Sequence, residues 1–168
     1  MKTIQLGTSD LKVSQLALGC MLMGTLTPEA ESVQMLDRYV DAGGNFLDTA
    51  DCYSWWNAEG TLGGQSEELL GRWLRRRGRR DDIILATKGS ATVPNQEGVW
   101  VDGVPNWDLA RTRFAGAGAD TLREAIDGSL KRLGVDYVDL YYVHVDDLNT
   151  PLEETLQALA DIVAAGKA

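Results

Sequence analysis

The chain has 168 residues, 25 acidic and 16 basic, a net charge of −9 and a hydrophobic share of 44 %. That size and balance describe an ordinary globular domain with room for a core. The acidic surface argues against nucleic acid and anionic membrane as general partners. The opening MKTIQLGTSDLKV has no apolar signal core, and no window is continuously apolar for about 18 residues, so neither a secretory leader nor a membrane span is expected. Two cysteines, Cys20 and Cys52, are too few for a disulfide framework, which fits a reducing cytoplasm. The single histidine, His144, excludes a multi-histidine metal site, and no metal is expected.

In chain order, Thr3–Leu6 and Lys12–Ser14 read as an N-terminal hairpin within residues 1–15. Leu16–Gly19 reads as a first buried strand. Pro28 to Ala42 reads as a helix, with Thr27 as cap, Pro28 at the first helical position, and Val33, Leu36 and Val40 on one apolar face. Gly43-Gly44 stops it. Asn45–Asp48 is a second strand. Ser66 is expected to cap a second helix that buries Leu69, Leu70, Trp73 and Leu74. Its end, RRRGRR, reads as cations at a helix C-terminus rather than a nucleic-acid patch.

Asp82–Lys88 is a third strand, followed by a long loop over residues 89–118 that carries Trp100, Trp107 and Phe114. Loops of that length inside a domain are usually functional or mobile. Thr121-Leu122-Arg123-Glu124 matches a capping box and opens a helix with Leu122, Ile126, Leu130 and Leu133 on one face. Asp136–His144 is a fourth strand. Thr150 to Glu153 matches a second capping box, and its helix is expected to turn Leu152, Leu156, Leu159 and Val163 inward.

Strands alternating with helices predict a parallel α/β sheet with right-handed crossovers. Two architectures compete, an open doubly wound sheet and part of a (β/α)8 barrel. The open sheet's phosphate loop is missing, since Gly19 to Gly24 has neither GxGxxG nor P-loop spacing.

In such folds the chemistry gathers at the carboxyl ends of the strands. Asp48 ends the second strand, Tyr53 lies just past it, Lys88 ends the third and His144 ends the fourth. A phenol is a weak acid, and a neighbouring ammonium lowers its pKa. A carboxylate keeps that ammonium charged and placed. The phenol is then a general acid for an oxygen becoming an alkoxide, with a neutral imidazole to orient it. No side chain here supplies an attacking partner, which points to hydride from a cofactor.

These residues carry a family resemblance. LGTSDLKVSQLALG, GGNFLDTADCY, GQSEELLG, IILATK and SLKRLGVDYVDLYYVH together resemble the aldo-keto reductases, NADPH-dependent (β/α)8 TIM-barrel enzymes. The resemblance implies a catalytic tetrad of Asp48, Tyr53, Lys88 and His144, with Tyr53 the proton donor to an aldehyde or ketone. It places Gly19, Cys20, Met21 and Asp48 near the nicotinamide. Trp55, Trp56, Trp100 and Trp107 become candidates for the substrate pocket, with packing lids the competing reading. Asp51 is read as a turn or helix cap and Cys52 as a bystander. Barrels of this kind take about 250 residues, so the chain is expected to cover the hairpin and about four βα units. The expected partners are a small carbonyl substrate and either the rest of the barrel or a second copy. A non-catalytic binding or regulatory module on the same fold is the alternative.

Overall fold

Short apolar strands buried on both faces alternate with amphipathic helices, and the chain resolves that pattern into a layered βα unit. The structure is a computed structural model describing residues 1–168. The chain opens with β1 (Thr3–Gln5), β2 (Lys12–Ser14) and β3 (Leu18–Gly19), then α1 (Glu29–Asp41), β4 (Phe46–Asp48) and a 3-10 turn at Trp55–Asn57. Next come α2 (Gln65–Arg77), β5 (Ile84–Gly89), the small strands β6 (Trp100–Val101) and β7 (Val104–Pro105), and α3 (Trp107–Arg111). The chain closes with α4 (Ala119–Leu133), β8 (Leu140–Val143) and α5 (Leu152–Ala164).

One four-stranded sheet runs β3-β4-β5-β8, and every pairing in it is parallel. Parallel strands need crossovers, and α1, α2 and α4 supply them. The register sets the strand ends level: Gly19 faces Asp48, Asp48 faces Ala86, and Lys88 faces Tyr142. The hairpin β1–β2 stands apart, tied on by Asn45, whose Oδ1 accepts from Ser14 N at 2.6 Å and whose Nδ2 donates to Lys12 O at 2.9 Å.

The main core lies between sheet and helices. Leu47 and Leu85 from the strands meet Leu36, Leu69, Leu70, Trp73, Leu122, Ile126 and Leu133, all buried. Each such side chain contributes roughly 1.5–3 kcal/mol by leaving water. Trp73 buries its ring while its indole N–H donates to Asp37 at 2.8 Å, so no polar group is orphaned. At α2 and α4 the helices approach so closely that a Cβ on Gly71 would come 2.4 Å from Arg132 O and 2.8 Å from Leu133 O.

A second, smaller core sits above the strand ends. Residues 89–118 fold back so that Ala91, Val93, Val99 and Ala110 pack on Ala50, Cys52 and Trp55. The segment read from sequence as a loop therefore holds the β6–β7 hairpin and α3, with Asn106 capping α3 through Leu109 N at 3.2 Å. No helix is long and apolar enough to cross a membrane.

Several local expectations fail for physical reasons. Ser66 lies inside α2, where Gly64, at φ 94°, takes the cap position. The Ser66 hydroxyl instead donates to Cys20 O at 2.7 Å and meets Thr49 Oγ1 at 2.8 Å. Thr121 falls inside α4, which starts at Ala119, and Thr27 and Thr150 make no side-chain cap. Thr150 donates to Asp147 instead, at 2.6 Å. The largest correction concerns α5. Its inward face is Thr155, Ala158 and Ile162, with Leu159 of the expected set packed partly against the same core, whereas Leu152, Leu156 and Val163 are more than half exposed. Thr155 Oγ1 donates to Ala117 O, just before α4, at 2.9 Å and fixes this face inward.

Asp147 ties the β8–α5 connection to the start of α4, accepting from Ala117 N at 2.7 Å, Asn149 N at 2.9 Å and Thr150. The Thr150 hydroxyl and these backbone N–H groups hold its carboxyl down at about 2. A carboxylate with a depressed folded pKa stabilises above its unfolded pKa, and the contribution is lost as pH falls through the folded one. Asp147→Asn should lower Tm at neutral pH by about 3 °C, the scale of one lost cap of about 1 kcal/mol. The gap should narrow progressively from about pH 5 toward pH 2, as thermal melts across that range would show. Gly71→Ala should cost about 1–3 kcal/mol through overpacking of α2 on α4. Urea unfolding would register this as a lower midpoint at unchanged slope.

Candidate active site

Lys88 organises the carboxyl ends of the strands. Its side chain leaves β5 and places Nζ 2.8 Å from Asp48 Oδ2, 2.7 Å from Thr49 O and 2.7 Å from Tyr53 Oη. Three acceptors match the three N–H donors of an ammonium. Because Lys88 donates to the phenol oxygen, the Tyr53 hydroxyl proton stays free for another acceptor. Lys88 and Asp48 are only 14 % and 29 % exposed at their side chains, so water screens the pair weakly.

The chain between β4 and α2 is pinned to hold Tyr53 there. Asp51 N donates to Lys88 O at 3.0 Å, and Gly64 N donates to Tyr53 O at 3.2 Å. Gly63, at φ +101°, lies so near this backbone that a Cβ would come 2.5 Å from Cys52 C. Only glycine satisfies both the dihedral and the approach.

The protonation states follow from the contacts. For Lys88, burial disfavours the ammonium, but hydrogen bonds to Asp48 and Tyr53 prevail and lift its pKa above the ordinary lysine value. Burial also raises the Tyr53 phenol, outweighing the opposite pull of Lys88, so the net shift is upward. This corrects the expectation of a lowered phenol pKa. In the open site desolvation exceeds the ammonium's effect, and Tyr53 is a protonated acid. Burial, followed by the Lys88 charge, lowers His144, which is neutral at pH 7.

His144 follows β8 and sets its ring edge-on to Tyr53, centroids 5.6 Å apart. Its Nδ1 is 3.4 Å from Cys52 Sγ. Burial pushes the Cys52 thiol far up, so it keeps its proton at neutral pH. With the thiol as donor in this contact, the imidazole proton resides on Nε2, which can then donate to a ligand. Cys52 is thus a partner of His144 and not a bystander. Asp51 sits in the expected turn but is buried: it is 4 % exposed, its Oδ1 has no hydrogen-bond partner, and burial followed by the nearby Glu67 raises its pKa to about 7.

Behind the strands, fully buried Glu67 accepts from Thr87 Oγ1 at 2.5 Å and Arg132 Nε at 2.7 Å. This ties α2 and α4 to the residue preceding Lys88. Nothing in the sequence marked Glu67 as buried, since Glu at a helix start reads as a solvated charge.

The other expected residues divide. Gly19 pairs beside Asp48 and faces open space, and Met21 is 42 % exposed. Cys20 is fully buried, and its thiol, raised to about 12 by burial, bonds Leu18 O at 3.4 Å. Only its backbone reaches the site, its N donating to Asp48 O at 2.9 Å. The indoles form one cluster: Trp55 contacts Trp56, Trp100 and Trp107 at centroid distances of 6.2, 6.2 and 5.1 Å. Trp55 is buried at its centre, while Trp56 lies 6.4 Å from Tyr53.

The model of the aldo/keto reductase family matches residues 15–168. The chain belongs to that family. It is 37 % identical over 95 % of its length to norsolorinic acid reductase of Emericella nidulans, covering 38 % of that protein. It is 34 % identical over 94 % to the aryl-alcohol dehydrogenase [NADP(+)] of Phanerodontia chrysosporium, covering 39 %. Among solved structures, the holo form of an aldo-keto reductase from Bacillus halodurans superposes with a TM-score of 0.74 at 38 % identity, covering 99 % of this chain and 47 % of that one. The chain therefore spans less than half the length of these relatives and corresponds to the N-terminal part of their (β/α)8 fold.

Lys88→Met should raise the Tyr53 pKa further, because the burial persists and the opposing cation is gone. Tyrosine ring NMR across alkaline pH would measure it, and a downward move would contradict the arrangement.

Proposed function

We propose that this chain carries the proton-donating site of an NADPH-dependent carbonyl reductase, converting an aldehyde or ketone to an alcohol, with Tyr53 as the acid. The observation that carries the reading is the placement of Lys88 Nζ against Asp48, Thr49 O and Tyr53 at once. That arrangement charges the lysine, leaves the phenol proton available, and is ready to stabilise the phenolate left behind.

The residues present fit the nicotinamide end of a cofactor. Gly19 adds no side chain where a Cβ would meet open space, next to Asp48 at the same strand level. Gly19, Met21, the backbone of Cys20 and Asp48 would hold that end. When bound, the cofactor supplies hydride to the carbonyl carbon. NADPH is favoured by the name of the aryl-alcohol dehydrogenase relative, which specifies NADP(+).

Each side chain then has one task. The phenol gives its proton to the carbonyl oxygen, so the C=O bond becomes CH–OH. Lys88 steadies the phenolate charge, and Asp48 keeps Lys88 in place. His144, protonated at Nε2, donates to the same oxygen and orients it. Trp56, edge-on to Tyr53, flanks the place where a substrate would lie. The exposed Leu152, Leu156 and Val163 on α5 would be covered by the remaining barrel, the partner this reading assigns.

In the reductase containing this chain, Tyr53→Phe should lower kcat by at least about a hundredfold while NADPH still quenches tryptophan fluorescence with unchanged Kd. Undiminished turnover would remove Tyr53 from its role.

A further inference from the structure

The fold brings Asp51, Cys52 and His144 together, although 92 residues separate Cys52 from His144. One ligand atom from each, the thiol sulfur, an imidazole nitrogen and a carboxylate oxygen, lies within 4.8 Å of the other two. Carbonyl reduction as proposed above uses neither the carboxylate nor the sulfur as a ligand. We propose that these three residues form a binding site for a zinc-class transition-metal ion.

Three observations support this. First, the spacing is suitable. Zinc bonds sulfur at about 2.3 Å and imidazole nitrogen at about 2.0 Å, which in tetrahedral geometry puts the two atoms about 3.5 Å apart. Cys52 Sγ and His144 Nδ1 are 3.4 Å apart. The carboxylate needs to close by about 1 Å, within reach of a side-chain rotation. Second, the Asp51 carboxylate is 4 % exposed and its Oδ1 has no hydrogen-bond partner. An orphaned buried acceptor is costly, and a cation would satisfy it. Third, the donor set is borderline. One thiolate, one imidazole and one carboxylate suit zinc better than magnesium or calcium, which take oxygen ligands.

The site is held and reachable. His144 is fixed from behind, its backbone N donating to Gly89 O at 2.9 Å and to Ser90 Oγ at 3.1 Å. Asp51 lines a cavity of about 450 Å³ and His144 lines another of about 640 Å³, while Cys52 is buried between them. Binding forms a metal–sulfur bond and releases the Cys52 proton to solvent, with nothing oxidised or reduced. Water completes the fourth position. An occupied site takes Nδ1 of His144 and replaces its contact with the Cys52 thiol by a shared metal. On the carbonyl-reductase reading, a metal on Nδ1 keeps the remaining imidazole proton on Nε2, the donor that orients the substrate, and fixes the ring in place. The site itself does not depend on that reading.

The test needs no turnover. Co2+ titrated into the purified, reduced chain should give a thiolate-to-cobalt charge-transfer band that saturates at one equivalent and is bleached by Zn2+. Cys52→Ala should abolish the band, Asp51→Asn should weaken binding at least tenfold, and Cys20→Ala should leave both unchanged. The chain has a single histidine, so ring NMR of the unaltered protein reports His144 alone even where a variant fails to fold. Zn2+ should shift its Nδ1 resonance. A missing band, a band that survives Cys52→Ala, undiminished cobalt affinity in Asp51→Asn, or an unmoved Nδ1 resonance would overturn the site.

Discussion

The ammonium of Lys88 is the constraint around which the upper sheet is organised. A charged amine that is 14 % exposed must have all three protons accepted. Its acceptors are a carboxylate ending β4, a carbonyl one residue on and a phenol four residues beyond that. Those atoms coincide only if β4 and β5 are parallel neighbours with Asp48 level with Ala86. A slip of one residue would turn Lys88 toward the helices and leave a buried charge unpaired. Register, site geometry and the charge state of the lysine are thus one fact seen at three scales.

The same economy appears behind the sheet. Thr87 points the opposite way from Lys88 and finds Glu67, whose second oxygen holds Arg132. Burying a glutamate with its arginine is weak evidence for stability, because desolvation offsets the attraction. Its effect here is geometric. It joins the start of α2 and the end of α4 to the strand that presents Lys88, with Gly71 allowing those helices close enough to do so.

Much of this was legible in the sequence. The strand order and the three polar strand ends, with Tyr53 just past one of them, follow from apolar runs, crossover helices and the rule that chemistry collects at carboxyl ends. What escaped was decided by contacts distant in sequence. Ser66 has a good capping side chain, but Cys20 O and Thr49 Oγ1 claim it. In α5 two stripes stand at helical spacing, and the one that packs here is Thr155, Ala158 and Ile162, joined from the leucine stripe by Leu159. The Tyr53 shift depends on how much water the fold removes, a quantity that spacing does not contain. Asp51 and Cys52 looked incidental because their partner lies on another strand.

The indole cluster has an optical consequence. Trp55 belongs to the segment carrying Tyr53, while Trp100 and Trp107 belong to the returning loop over residues 89–118. Rings 5.1 to 6.2 Å apart at steep angles couple their excited states, and that coupling depends sharply on distance and tilt. The near-ultraviolet dichroism of this chain is therefore a built-in gauge of how the loop sits over the strand ends. It reads that posture without a label, a ligand or an assay.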